Sequence, residues 1–142
     1  MHIRHRSSTW QGGLAALLIG LALLPAGVGA AADTSARQQA DRFAKEAGAP
    51  GQADRGQAFF TTPHAGAWSC SSCHGKPPLG AGKHASTGKA IDPLAPAANP
   101  RVFTDTARVD KWFRRNCNDV LKRECTAGEK ADVLAYLLQV KP

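Results

Sequence analysis

Residues 70–74 read Cys70-Ser71-Ser72-Cys73-His74, the chain's C-x-x-C-H run. Two thiols at that spacing add to the vinyl groups of a haem, and the histidine that follows is delivered to the iron as proximal ligand. The run predicts one covalently bound haem c, with Cys70 and Cys73 as thioether donors and His74 as metal ligand. What meets the other face of the iron then decides the chemistry. The thioether that commonly partners histidine in such haems is missing, because the only methionine is Met1, at the head of an export signal.

That signal is legible in residues 1–32. Arg4 and Arg6 precede an apolar run from Leu14 to Leu24 broken only by Gly20, and Ala30-Ala31-Ala32 offers a small-residue cleavage site. The apolar run is about 11 residues, well short of the roughly 20 that a spanning helix requires. Cleavage is expected after Ala32, giving a periplasmic protein of one domain, residues 33–142. Without Arg4 and Arg6 the chain keeps 16 basic against 11 acidic residues, a net +5 that two haem propionates partly offset. A surplus this small does not argue nucleic-acid binding. Lys111, Arg114, Arg115, Lys122 and Arg123 are nonetheless concentrated in one segment. They read either as a surface that steers an acidic protein toward a haem edge or as a solvated helix face.

Two other meanings of the cysteines compete with haem. A thioredoxin-like pair belongs between a strand and a helix, and no segment reads as a convincing strand. A four-cysteine zinc site would add Cys117 and Cys125, but seven residues separate these two, against the roughly two to four usual in zinc sites. In an oxidising compartment two nearby thiols tend instead to join. A Cys117–Cys125 disulfide is therefore expected. A straight helix would hold the two Cα atoms about 12 Å apart, too far for a bridge, so the helix must end between them, at Lys122–Glu124.

The remaining pattern is helical. Residues 34–47 form a first helix capped by Thr34 or Ser35 and closed at Gly48 and Pro50; residues 54–60 form a short second one. Residues 61–69 are loop. Residues 76–100 hold five of the nine prolines and no sustained apolar period, so they are expected to wrap a site. Helix returns over 104–121, where Val109, Trp112, Phe113, Asn116 and Val120 recur three or four apart on one face. From that stripe alone, Asn116 reads as a core amide bonded to backbone. Asn118 lies about 200° further round and points elsewhere. Thr126-Ala127-Gly128-Glu129 is a capping box that opens the last helix.

These residues carry a resemblance. Gly56-Gln57-Ala58-Phe59-Phe60 and Ala135-Tyr136-Leu137 resemble the crossing helices of class I cytochromes c, in which a glycine admits an aromatic ring. Thr87-Gly88-Lys89-Ala90-Ile91, Pro93-Leu94-Ala95-Pro96, Phe103-Thr104-Asp105, Lys111-Trp112-Phe113, Arg115-Asn116-Cys117-Asn118 and Gly128-Glu129-Lys130-Ala131-Asp132 together resemble the sphaeroides haem protein family, high-spin class I cytochromes c. The fold this implies is all-α, a single class I cytochrome c domain with several helices around one haem. It also implies that an asparagine oxygen is the sixth ligand of ferric iron, beside a disulfide, and leaves on reduction. Asn116 matches that position, with Asn118 as fallback.

Ligand chemistry agrees with the resemblance. A neutral amide oxygen is a hard, weak donor that suits ferric better than ferrous iron. Its loss opens a position for O2, CO or NO, with Trp112 and Phe113 shaping an apolar pocket and Trp68 packing on the macrocycle edge. Rival sixth ligands are His84, His64, Lys83, Lys89 and water. Two function classes follow: an electron carrier that also binds a diatomic gas, supplied by a diheme or membrane-linked donor cytochrome as the resemblance implies, or a haem enzyme reducing oxygen, NO or peroxide. A plain low-spin carrier would need a strong ligand such as His84. Apart from the Asn116 amide, no distal acid/base pair of the kind an enzyme would use stands out.

Overall fold

A glycine in a short helix sets how the main helices meet. The computed structural model describes residues 32–65 and 67–142, so the expected export signal lies, but for Ala32, outside the described residues. Five helices are present among them: α1 (Ala36–Ala47), α2 (Ala53–Thr61), α3 (Ser71–His74), α4 (Thr106–Leu121) and α5 (Ala127–Gln139). Helix α5 is the hub, packed against both α1 and α2. A Cβ placed on Gly56 of α2 would run into the backbone carbonyl of Asp132 and lie 3.0 Å from the Tyr136 Cβ. Only glycine lets α2 and α5 approach so closely.

Aromatic and aliphatic side chains close around that crossing. Phe60 sits one turn beyond Gly56, fully buried, its ring 5.5 Å from that of Tyr136. With Ala95, Val133, Leu137 and Val140 they form one core cluster; Phe43, Val109, Ala131 and Leu134 form a second, and Phe103 and Phe113 pack against both. Polar clamps fix the register. The Asp132 carboxylate accepts from the Gln52 N–H at 2.6 Å and from Arg55 at 2.8 and 2.9 Å. Burial is the largest single influence and works to raise that carboxyl, but the hydrogen bonds from Arg55 and the Gln52 N–H, with the Arg55 charge, together hold it below the usual range.

Helix ends follow local chemistry. Ser35 caps α1 by accepting from the Gln38 N–H, and Gly48 closes it in the left-handed region. Asp105 caps α4 through the Arg108 N–H, and Thr126 and Glu129 make the expected reciprocal capping box. Helix α4 is moored to α1 by buried Gln39, which donates to Thr106 Oγ1 at 3.0 Å, and by the Arg42–Asp110 ion pair.

Residues 76–100 contain one departure from the sequence reading. Strands β1 (Gly82–Lys83) and β2 (Ala90–Ile91) pair antiparallel, Gly82 with Ile91 and Lys83 with Ala90. Two-residue strands carry no alternation to read. Their placement is informative all the same: a Cβ on Gly82 would collide with the Cys73 carbonyl, so this hairpin lies directly against the C-x-x-C-H backbone.

Adding a single methyl at the helix crossing tests this packing. Gly56→Ala is expected to destabilise the protein by about 2 kcal/mol or more, because backbone, not a flexible side chain, opposes the new atom. A urea midpoint equal to wild type would show that the crossing has slack.

Candidate haem site

Helix α3 is a single turn, and hydroxyls hold it in place. Ser69, itself buried, receives the Ser72 N–H on its Oγ at 3.2 Å while its own N–H donates to Ser72 Oγ at 3.0 Å. Ser71 Oγ lies 2.8 Å from the same Ser69 oxygen. This reciprocal clamp escaped the sequence reading, since serine hydroxyls bond nearby backbone in several local patterns that the sequence does not distinguish. The His74 N–H donates to the Cys70 carbonyl at 3.1 Å, so Cys70, Cys73 and His74, spaced three and four apart, share one face of the turn.

Burial sets the chemistry of that face. It pushes the Cys70 thiol up to about 11, keeping it protonated instead of a thiolate poised for redox exchange or zinc. It also lowers His74, leaving the neutral imidazole that iron binds. The His74 Nδ1 is buried with no hydrogen-bond partner among the described residues. An orphaned ring nitrogen is costly in a core, which sets this histidine apart from a packing residue. Phe60 backs it at a ring separation of 6.4 Å. Two free cysteines and a neutral, otherwise unengaged histidine on one turn fit covalent haem.

On α4 the expected single stripe divides into two adjacent rows. Val109, Phe113 and Cys117, four apart, face inward: Val109 and Cys117 are buried and Phe113 meets Phe43 edge-on at 5.5 Å. Trp112, Asn116 and Val120 form the neighbouring row, with Trp112 and Asn116 exposed. The reading of Asn116 as a backbone-bonded core amide is thereby corrected. It sits beside, not within, the row that packs. A cleft of about 320 Å³ at the end of this row is lined by Ala67, Trp68, Asp119, Val120 and Lys122, bringing the loop before α3 against α4. Trp68 and Trp112 are 41% and 42% exposed, a large apolar area that the edge of a macrocycle would cover in part.

Three of the rival ligands, His64, His84 and Asn118, have hydrogen-bond partners of their own. His64 Nε2 bonds the Phe59 carbonyl at 2.8 Å. His84 Nδ1 lies within 3.1–3.3 Å of the Ser86 and Thr87 hydroxyls and the Thr87 N–H, in the turn of the hairpin that rests on Cys73. Asn118 donates to the Arg114 carbonyl. Lys83 and Lys89 are exposed. Cys117 and Cys125 lie at disulfide distance with Cα atoms 5.6 Å apart, and α4 ends between them, Lys122 taking a left-handed φ of 61°.

Comparison with known proteins places this geometry. Over 121 residues the chain is 49% identical to the cytochrome c-type protein SHP of Cereibacter sphaeroides, covering 82% of this chain and 93% of that protein. The chain belongs to the SHP family of c-type cytochromes. Covalently bound haem c is the cofactor of such proteins, and the likeness extends to structure. An oxidised SHP, described as an oxygen-binding cytochrome c, matches with TM-score 0.68 at 50% identity over 74% of this chain and 96% of that one. Cytochrome c'' of Methylophilus methylotrophus is 45% identical over 84 residues, 58% of each protein. Its solution structure, described in terms of haem-ligand detachment, matches with TM-score 0.66 at 34% identity over 75% of this chain and 94% of that one. A family described as a domain of unknown function, DUF1924, matches residues 46–137.

Closure of the short loop between Cys117 and Cys125 is expected to contribute about 2.5 kcal/mol on chain-entropy arithmetic. The Cys117→Ser/Cys125→Ser variant should lose stability of that order in denaturant unfolding, and the denatured, unreduced wild-type holoprotein should show no free thiol. Two titratable thiols would remove the bridge from the account.

Proposed function

We propose that residues 33–142, exported to the periplasm behind a cleaved signal at 1–32, are an electron-transfer cytochrome whose sixth ligand comes and goes with oxidation state. Cys70 and Cys73 hold the haem as thioethers, His74 is the proximal ligand and Asn116 is the distal ligand in the oxidised state. Cys117 and Cys125 form a disulfide at the end of the ligand helix. Bound haem supplies a one-electron couple at iron and, once reduced, a position for a small ligand such as O2, CO or NO.

The observation that carries this reading is the state of the candidate donors around the site. Asn116 is exposed, in the row with Trp112, and among the described residues its amide has no hydrogen-bond partner, whereas His64, His84 and Asn118 are each bound within their own loops or helix. A neutral amide oxygen gains little from ferrous iron, so on reduction Asn116 would be the ligand that lets go. Helix α4 is moored by Gln39 and Arg42 at one end and through Cys117 to Cys125 at the other, so it would stay in place while Asn116 lets go. Trp68 and Trp112 shield the macrocycle edge, and Phe113 joins the distal helix to the core behind it. The descriptions of the two relatives, one as oxygen-binding and one by haem-ligand detachment, support the same behaviour here. Electrons arrive from a donor cytochrome, diheme or membrane-linked. Among the described residues no helix is long and apolar enough to cross a membrane.

Absorption spectra of the dithionite-reduced holoprotein with and without CO test the proposal. A broad high-spin ferrous spectrum that converts sharply with CO is expected. Asn116→Val should leave that reduced behaviour intact while altering the oxidised spectrum, because only the oxidised iron would lose a ligand. A sharp low-spin reduced spectrum indifferent to CO would overturn the reading and point to His84.

A further inference from the structure

Helix α4 has a third row that neither packing nor ligation explains. At about 100° per residue, Arg108, Lys111 and Arg115 fall within an arc of about 60°, and Trp112 follows about 40° beyond its Arg108 edge. All four are exposed, and Lys122 extends the positive strip at the end of the helix. Among the described residues none of these cations pairs with a carboxylate: Asp110 is taken by Arg42, and the other ion pairs lie on Arg55 and Arg123. The Arg115 guanidinium lies 5.5 Å from the centre of the Trp112 ring and the Lys111 ammonium 6.0 Å. Cations so placed leave the tryptophan as the apolar centre of a charged face.

We propose that this face, Arg108, Lys111, Arg115 and Lys122 around Trp112, is the docking surface for an acidic redox protein, so that electrons enter over the distal helix. The inference rests on the electron-transfer reading above and adds the chemistry of the partner and its place of contact. A strip about 20 Å long matches the small contact area of a transient redox encounter. Arginine and tryptophan together are the residue types that concentrate binding energy in such contacts. Uncompensated charge raises the association rate with an oppositely charged protein and gives it a steep salt dependence. Asp119, one turn beyond Arg115, is the exposed carboxylate within the strip, and with Lys122 it lines the cleft.

The probe is an acidic flavodoxin. Its dissociation constant for the holoprotein, measured with both proteins oxidised, and its stopped-flow rate of reducing the ferric holoprotein are compared from about 10 to about 150 mM salt, where the screening length falls from about 30 to about 8 Å. Wild type should lose at least about tenfold in rate over that range. Arg108→Gln/Lys111→Gln/Arg115→Gln should bind about tenfold more weakly at low salt and lose most of the salt slope. Arg37→Gln/Lys45→Gln/Arg101→Gln, which removes the same charge from exposed sites off this face, should match wild type. Equal losses in both triple variants, or an α4 variant that keeps the wild-type slope, would overturn the proposal. So would salt-sensitive binding to anionic phospholipid vesicles through this strip with flavodoxin rates unaffected by the α4 substitutions. Reduced-state CO spectra of the α4 variant, expected to equal wild type, separate a failure of docking from a failure of the ligand reading.

Discussion

The contact between Gly56 and the backbone of Asp132 is the constraint from which the rest of this structure follows. It lets α2 lie on α5 without an intervening side chain, and that closeness puts Phe60 against Tyr136 and, on its other side, against His74. His74, the proposed proximal ligand, is therefore positioned by a helix crossing, not by its own four-residue helix, which is too short to hold a rigid direction alone. The Asp132 carboxylate clamps the start of α2 at the same place, so a polar and an apolar device fix one crossing.

Helix α4 divides its circumference among separate tasks. Val109, Phe113 and Cys117 attach it to the core; Trp112 and Asn116 occupy the open row beside them. The division would let the proposed ligand Asn116 release without disturbing the fold. Nothing in the core depends on Asn116, while its neighbour Cys117 is buried and tied to the start of α5. A ligand that must leave is best carried by a helix that cannot.

Much of this was legible in the chain because the signals are local. The C-x-x-C-H run, the capping box at Thr126 and Glu129 and the end of α4 between its two cysteines each depend on a few adjacent residues or on spacing along one helix, whereas the Gly56 and Tyr136 crossing was legible only through the family resemblance. The β1–β2 pair was missed because two-residue strands leave no period, and the Ser69–Ser72 clamp because hydroxyl geometry is not encoded in composition. The apolar stripe of α4 misled in one respect. A 3.6-residue period groups residues over a broad arc, and whether Asn116 lies inside the packed part of that arc depends on where α1 and α5 sit, which periodicity does not report. The occupation of His64 and His84 by Phe59, Ser86 and Thr87 was equally hidden, being a matter of loop conformation.

The most direct test of the central claim is a pair of crystal structures of the holoprotein, one oxidised and one reduced, read at the sixth position of the iron. The account requires Asn116 Oδ1 on the iron in the oxidised crystal and withdrawn in the reduced one, with α4 unmoved in both. Finding His84 or Asn118 on the iron, or Asn116 bound in both oxidation states, would contradict it.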